Sequence, residues 1–416
     1  MQTKRPIIKS IYTAVACLLS PALLWAGGFQ VNLQGQKQTA MGHCGIALPL
    51  DNSAIVFNPG TLIFVDSLGS FSAGAAFVFP RTVYLDPNST YSAQTVNHTG
   101  TPLTVNAHFK FKKSSPISFG FGLYNPFGSR IQWDDDWKGK FLIREISLRT
   151  FFYQPTISYK ISDRIGIGFG YIFANGGFNL RRALPIQDSL ANYGEVNLIG
   201  KASGQGFNSG IYFKASDRLK LGLNYRSSVK VKVENGTADF TAADAVSQYF
   251  QDSSFNTQLN LPFMWGVGAA YQINEKITAT ADINYVGWSD YDSLKIDFAK
   301  NSDKLKDLAS PRLYKNSFIF RTGIQYQLNE LITIRAGAYY DQTPVQDGYV
   351  TPETPDSDKL GLTTGISVSL KKWLYIDASL LYVEGFKRTD INLETQFEAT
   401  YKSRGVIPGL NIGLKF

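Results

Sequence analysis

From residue 70 to the end of the chain, apolar and polar residues alternate in short runs. The period of two is clear in residues 276–285 and recurs in 331–340 and 373–382. In the first run one face carries Ile277, Ala279, Ala281, Ile283 and Tyr285, and the other carries Thr278, Thr280, Asp282 and Asn284. Such strands fit either a half-buried sheet of a soluble protein or a barrel wall with lipid outside and a polar lumen inside.

The alternation predicts fourteen strands, many of them longer than ten residues. Strands of this length exceed the usual soluble strand and are long enough to cross a bilayer when tilted. They are expected near 70–86, 101–112, 117–132, 145–161, 165–182, 203–214, 218–233, 256–272, 276–296, 313–328, 331–343, 358–370, 373–388 and 404–416.

Short and long connections alternate between these strands. Six are tight turns, at 113–116, 162–164, 216–217, 274–275, 329–330 and 371–372. Seven are long loops, at 87–100, 133–144, 183–202, 234–255, 297–312, 344–357 and 389–403. An even strand count with loops at one end and turns at the other is typical of outer-membrane barrels, and it places both termini at the tight-turn, periplasmic end. A propeller would show a recurring blade motif, and none is found. The predicted fold is all-β, a 14-stranded antiparallel transmembrane β-barrel.

The first 26 residues read as a secretory signal peptide. Lys4, Arg5 and Lys9 form a basic start, an apolar run covers 11–25, and small residues follow. Cys17 also admits a lipoprotein interpretation, which is less favoured because a long apolar run would remain in the mature chain.

Composition supports an exported barrel. Beyond the leader no run of 18 apolar residues predicts a transmembrane helix, yet the chain holds 29 Phe and 22 Tyr. The 41 basic and 33 acidic residues form no basic cluster, so a nucleic-acid partner is not expected. Cys44 is the only cysteine after the leader, which excludes an internal disulfide. At this point a secreted soluble sandwich or propeller is the alternative.

Residues 27–66 follow neither period. Small and polar residues dominate, and the segment reaches a turn signal at Asn58-Pro59-Gly60. Such a stretch cannot form its own core, and a 14-stranded lumen without a filling would leak. Residues 27–66 are therefore predicted to be a plug, or hatch, inside a barrel formed by 67–416.

The third predicted strand contains a potential break. Pro126 cannot donate a hydrogen bond to a neighbouring strand, and nearby glycines weaken pairing. A local break in the barrel wall is predicted at Gly120, Gly122, Asn125, Pro126 and Gly128. The alternative is that the strand simply ends at Asn125 and turns.

Apolar residues also occur in the predicted long loop at 234–255, which precedes the eighth predicted strand. Ala243, Val246 and Phe250 approach helical spacing, so a short amphipathic helix beside a ligand groove is one interpretation. Packing of the loop on its neighbours is the other.

Several motifs together resemble the FadL family of outer-membrane long-chain fatty-acid transporters, which has relatives that import aromatic hydrocarbons. Asn58-Pro59-Gly60 departs from the usual Asn-Pro-Ala of the family hatch. The segments that carry the resemblance are Gly28-Phe29-Gln30, Met41-Gly42-His43-Cys44-Gly45, Asp51-Asn52-Ser53-Ala54, Leu259-Asn260-Leu261-Pro262, Met264-Trp265, Trp288-Ser289, Phe320-Arg321-Thr322-Gly323, Asp341-Gln342-Thr343-Pro344-Val345 and Pro355-Asp356-Ser357-Asp358.

The resemblance implies passive, ligand-gated uptake by a protein that is not an enzyme and has no cofactor. A hydrophobic ligand would bind between loops, reach a pocket near the hatch tip and leave sideways through the third strand. Its carboxylate needs a cation once it leaves water. The expected ligand-binding residues are Gly27, Gly28, Phe29, Phe250, Arg181, Arg182 and Lys306. Each basic residue has an alternative role as a solvated charge or as a contact to lipopolysaccharide.

The expected setting is the outer membrane of a Gram-negative bacterium. The last strand alternates up to Phe416, which resembles the signal read by the outer-membrane assembly machinery. The expected partners are a long-chain fatty acid or another hydrophobe, outer-membrane lipid and that machinery, and the protein is expected to be a monomer. Aromatic-hydrocarbon uptake, a general porin and a lipase are the alternatives. The three histidines, His43, His98 and His108, have no catalytic or metal-binding motif spacing.

Overall fold

The computed structural model describes residues 28–416, so the predicted signal peptide and Gly27 lie outside the described residues. β-Strands are the dominant elements of the described residues. In chain order, β1 to β22 are Gly69–Ala76, Phe79–Leu85, Ser92–Gln94, Leu103–Phe109, Ile117–Tyr124, Gly128–Gln132, Glu145–Lys160, Ile165–Gln187, Tyr193–Lys214, Leu219–Arg226, Val229–Thr241, Ser253–Leu261, Met264–Gln272, Ile277–Val286, Ser293–Phe298, Leu308–Pro311, Ser317–Gln327, Ile332–Asp341, Lys359–Lys371, Leu374–Gly385, Arg388–Ile391 and Glu398–Lys415.

Fourteen of these strands form a closed antiparallel ring. Each pairs with the next along the chain, and the last pairs with the first from Ser70–Lys415 to Ala76–Gly409. The ring strands are β1, β4, β5, β7, β8, β9, β10, β13, β14, β17, β18, β19, β20 and β22. The predicted 14-stranded antiparallel barrel is confirmed.

The period-two pattern separates an apolar outside from a polar inside. In β14, Ile283 is 49% exposed on the outer surface, whereas its neighbours Asp282 and Asn284 are 1% and 0% exposed towards the lumen. Closure of the ring pairs the backbone groups of every ring strand, so that none is left as a free edge. Among the described residues, no helix has the length and apolar character needed to span a membrane.

Eight further strands, β2, β3, β6, β11, β12, β15, β16 and β21, extend the wall at the long-loop end. Several long predicted strands are therefore broken in two. The predicted loop at 183–202 is wrong, because β8 and β9 continue as one hairpin whose ladder reaches Gln187 and Tyr193. In these paired extensions the backbone N–H and C=O groups hydrogen-bond to each other, whereas in a long loop they would hydrogen-bond to water.

The hatch segment, residues 28–66, lies inside the ring. It contains two single-turn helices, α1 (Gln36–Thr39) and α2 (Ala54–Phe57), and a 3₁₀ helix over Pro59–Phe64. Helix α1 contacts β19, β20 and β22, whereas the 3₁₀ helix contacts β5, β7, β8 and β9. Because these strands lie on different arcs of the ring, the segment crosses the lumen.

Glycines in the wall allow the hatch to approach the strands closely. A Cβ atom at Gly168 would overlap the backbone of Pro59, and one at Gly323 would lie 2.6 Å from the Met41 Cβ. Near α1, ion pairs fix the hatch to the barrel wall. Lys37 Nζ lies 3.3 Å from Asp51 Oδ2 in the hatch and 3.9 Å from Asp377 Oδ2 in β20. The hatch is thus seated by close backbone packing and by buried polar contacts, and its own apolar cluster is small, formed by Ala54, Ile55, Leu62 and Val65.

Candidate functional site

The third ring strand is interrupted at residues 125–127. Strand β5 ends with Tyr124 opposite Phe152, and β6 begins with Gly128 opposite Arg149. One more residue is present on the interrupted strand than on β7, which is the geometry of a bulge. The strand does not end and turn at Asn125; it resumes after the break.

The Asn125 side chain fills this break. Its Oδ1 accepts a 2.9 Å hydrogen bond from the Leu103 amide of β4, and its Nδ2 donates a 2.6 Å bond to the Thr150 carbonyl of β7. One amide thereby joins the two neighbouring strands where the ladder is missing.

The tip of the hatch pairs with the backbone of the break. Gln30 forms an antiparallel bridge with Phe127, and the Val31 amide donates to the Pro126 carbonyl at 2.8 Å. The Gln34 side chain donates to the Asn125 carbonyl at 2.8 Å. The carbonyl groups that the ladder cannot use are therefore satisfied by the hatch.

Two of the predicted break residues lie elsewhere. Gly120 and Gly122 pair regularly with β4 and β7. A Cβ atom at Gly120 would come within 2.9 Å of the Ile55 and Leu62 side chains of the hatch. These glycines provide room for the hatch and do not form the break. Gly128 borders the break and has room for a Cβ atom, which would make an ordinary contact 3.4 Å from the Leu148 carbonyl oxygen.

An aromatic cluster encloses the hatch tip. The Phe29 ring lies 4.8 Å from Trp288, 5.8 Å from Tyr291 and 6.3 Å from Phe127, measured between centroids. Gly28 has φ +61°, and a Cβ there would lie 2.5 Å from the Trp288 ring. Only glycine fits this position without strain or overlap.

A cavity of about 60 Å³, here called the inner cavity, lies beside the hatch tip. Its walls are mostly apolar and include Phe29, Phe178, Val231 and Tyr291. Of the predicted ligand-binding residues at the tip, Phe29 lines this cavity, Gly28 lies behind it against Trp288, and Gly27 is outside the described residues.

A second cavity of about 110 Å³, the outer cavity, lies nearer the long-loop end. Leucine, isoleucine and phenylalanine side chains form most of its wall, and the two cavities share Leu294 and Glu353. The shared residues show that the two cavities are adjacent.

Two cations line the outer cavity, but only one has a close counter-ion among the described residues. Arg312 Nη2 binds Glu353 Oε2 at 2.7 Å. Burial acts to lower the pKa of Arg312, and the opposing effect of Glu353 raises the pKa above its ordinary value. Arg182 makes no hydrogen bond or ion pair within residues 28–416, although Glu353 and Glu394 attract it at longer range. Arg182 is therefore available to an anion entering the cavity.

The other predicted cations are placed differently. Arg181 binds Asp135 at 2.7 Å and Glu195 at 3.0 Å in a loop network, and it does not line either cavity. Lys306 is exposed, and its neighbour Leu305 faces the outer cavity instead. Adjacent side chains of a strand point to opposite faces, so only one of Arg181 and Arg182 can point inward.

Phe250 contacts the outer cavity only indirectly. Its ring lies 6.2 Å from Phe240, which lines the cavity. The helix suggested by spacing in this loop is wrong: β11 extends to Thr241, and a single 3₁₀ turn covers Ser247–Tyr249. Packing on neighbouring segments determines the conformation of the loop.

The sequence matches a known family over almost its whole length. Residues 17–416 match the family described as "Outer membrane protein transport protein (OMPP1/FadL/TodX)". The chain belongs to this family.

Curated relatives show the same extent of similarity. The chain is 23% identical to the long-chain fatty acid transport proteins of Salmonella typhi and of Escherichia coli K12, covering 91% of this chain and 93% of each relative. It is 21% identical to outer membrane protein P1 of Haemophilus influenzae, over 97% of this chain and 98% of the relative. The protein is thus an outer-membrane transport-family member of a Gram-negative bacterium.

Solved structures confirm the barrel fold of the FadL family. A Pseudomonas aeruginosa FadL homologue superposes with a TM-score of 0.82 at 19% identity, covering 94% of this chain and all of that one. The Ralstonia pickettii toluene transporter TbuX gives 0.71 at 18% identity, covering 92% and 98%.

The segment Asn58-Pro59-Gly60, for which the sequence predicts a role as hatch motif, lies against β8 and β9. Asn58 Nδ2 donates to the carbonyls of Ile46 at 2.7 Å and Ile211 at 2.9 Å, and Pro59 begins the 3₁₀ helix. A Cβ at Gly60 would lie 2.7 Å from the Gly210 carbonyl. At this contact the departure from alanine to glycine relieves crowding against the strand.

One Ser–His contact in the structure bears on the lipase alternative, and its surroundings do not support that alternative. His108 Nδ1 lies 3.0 Å from Ser70 Oγ inside the barrel. His108 Nε2 is buried without a hydrogen-bond partner among the described residues, and the charged group acting on His108 is Lys110, not a carboxylate. A serine nucleophile needs a histidine that a third group orients. The described residues also contain no cluster of His, Cys, Asp and Glu suited to a metal ion.

Sequence reasoning missed several residues that define the site. Trp288 and Asp356 belong to motifs of the family resemblance but carry no predicted role, and strand periodicity gives no sign of Tyr291 or Arg312. Their positions depend on loops that fold inward over the lumen, and side-chain alternation does not predict how loops fold.

Proposed function

We propose that this FadL-family protein takes up long-chain fatty acids across the outer membrane, without a cofactor or an energy source. The fatty-acid assignment is supported by the relatives that bear that name and by Arg182, an arginine in an apolar cavity with no close counter-ion in the described chain. An apolar wall with one such cation suits a ligand with a long tail and a carboxylate.

The proposed route runs from the outer cavity to the inner cavity and then to the break at residues 125–127. The observation that carries it is the pairing of the hatch tip with the break, through Gln30 and Phe127. A ligand that displaces Phe29 from the inner cavity also pulls on this pairing. Hatch movement and opening of the wall are thereby coupled in one structural element.

The energetics favour passage rather than tight retention. Each buried CH₂ group contributes roughly 0.8 kcal/mol relative to water. A bilayer offers the same gain, so the ligand leaves for the membrane at little cost once the break is open. In this proposal residues 27–66 act as the hatch, 67–416 as the barrel and 1–26 as the signal peptide.

A disulfide between the hatch tip and the break tests the coupling. Gln30→Cys with Phe127→Cys, in a Cys44→Ala background, places two thiols on directly paired residues. We expect oleate uptake by cells to stop when the pair is oxidised and to return after reduction. The matched control is Leu85→Cys with Ser92→Cys, a paired position in β2 and β3 outside the route. Equal uptake by the oxidised and reduced hatch pair would exclude hatch movement.

Lateral exit needs a separate experiment. Gly128→Leu introduces bulk at the break, where a Cβ atom has room, and is expected to reduce oleate uptake while the barrel still assembles. Gly177→Leu is the control, because a Cβ at Gly177 meets only the Gly200 carbonyl at 3.9 Å. Full uptake by Gly128→Leu would argue for an exit along the lumen.

Uptake of aromatic hydrocarbons is the second candidate. The aromatic rings of Phe29, Phe178 and Tyr291 around the small inner cavity favour it. Competition between labelled oleate and toluene for the purified protein distinguishes fatty-acid uptake from hydrocarbon uptake, because an uncharged hydrocarbon forms no ion pair with Arg182. Large, steady conductance in planar bilayers would instead indicate a general porin.

The proposed partners beyond the ligand are lipids and the machinery of assembly. The last strand ends on Phe416, whose backbone amide donates to the Gly69 carbonyl at 2.8 Å where the ring closes. Within the proposal the protein acts as a monomer surrounded by lipopolysaccharide and outer-membrane lipid.

A further inference from the structure

Arg226 is a buried cation without a counter-ion among the described residues. It is the last residue of β10 and is 4% exposed. Within residues 28–416 its side chain makes no hydrogen bond or ion pair, and its Nε and Nη2 atoms are fully enclosed. Buried charges in proteins are normally paired, since an unpaired charge away from water is unfavourable.

The groups that act on Arg226 do not neutralise its charge. Its guanidinium carbon lies 5.3 Å above the centre of the Phe127 ring, a cation–π contact that holds the side chain in place. The titratable groups acting on it are the Tyr124 phenol and a second cation, Arg321. Asp282 is the carboxylate that acts most strongly on Arg321. In the described part of the chain, the region around Arg226 is therefore positive and lacks an anion of its own.

Phe127 links Arg226 to the proposed route. Phe127 belongs to the break, pairs with Gln30 and lies 6.3 Å from Phe29 and 6.4 Å from Trp288. Phe29 in turn lines the inner cavity. One aromatic ring thus separates the guanidinium of Arg226 from the hatch tip and from the inner cavity.

The unused acceptor of Gln30 lies in the same region. Gln30 Nε2 contacts Met264 Sδ at 3.7 Å, and Met264 is the cross-strand neighbour of Arg226. Gln30 Oε1 is buried without a hydrogen-bond partner from residues 28–416. The resting hatch tip therefore carries one unused polar atom, on a side chain that contacts the cross-strand neighbour of Arg226.

We propose that Arg226 is a positioning residue that receives the carboxylate of the ligand at the break, after the hatch tip has moved away from Phe127. The inference rests on the proposed function and assigns a second cationic step, separate from Arg182 at the outer cavity. A guanidinium binds a carboxylate with two parallel hydrogen bonds, so Arg226 supplies the counter-ion while the tail remains among apolar side chains. The subsite selects acids over uncharged chains of equal length.

Uptake of a charged and an uncharged ligand tests the proposal. Cells without their own transporter express the full chain or a variant, and take up labelled oleate or, separately, oleyl alcohol. Arg226→Met retains a flexible apolar contact with Phe127, and it is expected to lower oleate uptake at least about tenfold, the factor of one lost charge-assisted contact, without lowering alcohol uptake. Arg226→Lys keeps the charge and is expected to restore most oleate uptake.

Arg404→Gln is the matched control, since Arg404 is an exposed arginine of β22. Oleate uptake by Arg226→Met equal to that of Arg404→Gln overturns the proposal, as does an equal loss for oleate and oleyl alcohol. Failure of the unmodified protein to take up oleate overturns the proposed function itself, and with it this inference. Normal uptake by the unmodified protein with an unaffected Arg226→Met variant overturns only the inference.

A second measurement leaves Arg226 unchanged and therefore does not depend on the folding of an Arg226 variant. Stearate with a doxyl group near its carboxylate should quench the fluorescence of Trp288 more than stearate labelled near its methyl end. The Trp288→Phe variant identifies the Trp288 contribution. The reverse order of quenching would place the tail, not the carboxylate, beside Phe127 and overturn the proposal.

Discussion

The backbone amide of Gly28 donates a hydrogen bond of 2.9 Å to Oδ2 of Asp356, joining the hatch tip to a loop 328 residues away. The side chain of Asp356 also accepts from Thr343 Oγ1 at 2.6 Å and binds Lys359 Nζ at 2.6 Å. The loop carrying Asp356 contributes Glu353 to both cavities. The position of the hatch tip is therefore coupled to the loop that lines both cavities.

Removing this tether should loosen the hatch tip. A hydrogen bond to a charged group contributes about 1.5–3 kcal/mol, so Asp356→Ala should raise the population of the detached tip about tenfold or more. The measurement is the maleimide-labelling rate of Phe29→Cys in a Cys44→Ala background. Asp347→Ala is the control, since Asp347 is an exposed acid of the same loop. Unchanged labelling in Asp356→Ala would show that the tip is held by aromatic packing instead.

Close packing of the hatch base predicts intolerance at Gly168. A Cβ atom there would overlap the backbone of Pro59, which cannot move without shifting the 3₁₀ helix. Overpacking of this kind costs about 1–3 kcal/mol, so Gly168→Ala should lower the thermal unfolding midpoint. Gly177→Ala, in the same strand but with open space, should not. Equal midpoints for the two variants would mean that the hatch base adjusts freely.

The two candidate cations at the long-loop end should differ in their effect on binding. Arg182→Gln removes an arginine that lines the outer cavity and has no close partner within residues 28–416, and we expect oleate affinity to fall about tenfold. Lys306→Gln removes an exposed charge and should leave affinity within the error of the measurement. Tryptophan quenching by a spin-labelled stearate gives both values. A larger loss for Lys306→Gln would place the first contact of the ligand on the loop surface.

Stability should depend on pH through Asp358. Burial raises the pKa of Asp358 from 3.8 to about 6, the hydrogen bond from Tyr340 opposes this rise, and the nearby Asp356 adds to it. The folded protein binds this proton more tightly than the unfolded chain does, so the contribution to stability grows as the pH falls from about 6 towards 3.8. It is absent above pH 6, where both states are ionised.

Thermal unfolding of the wild type and of Asp358→Asn, measured between pH 7.5 and 5, isolates this contribution. The wild type should gain more stability than the variant on acidification, because the variant carries no titrating group at 358. Asp347→Asn serves as the exposed control. Parallel pH profiles for the wild type and Asp358→Asn would assign the effect to other groups.

Much of the fold follows from local pattern. The period of two predicts the ring strands because a barrel strand has one side in lipid and one in the lumen, as Ile283 and Asn284 show. The predicted extent of β8 and β9 is too short, since paired extensions above the membrane carry no strong apolar alternation. Of the predicted ligand-binding residues, Arg182 lines the outer cavity and Phe29 lines the inner cavity, whereas Arg181 and Lys306 line neither. Their roles in binding stay predictions.

The sequence by itself determined the strand count, the alternation of tight and long connections, and the position of a segment too irregular to fold alone. These properties are local, because side-chain period and turn chemistry depend on near neighbours in the chain. Only the tertiary structure decided which residues meet inside the lumen. Gln30 pairs with Phe127, Gly28 is held by Asp356, and Arg226 is enclosed without a counter-ion from residues 28–416, because ring closure brings together residues far apart in sequence.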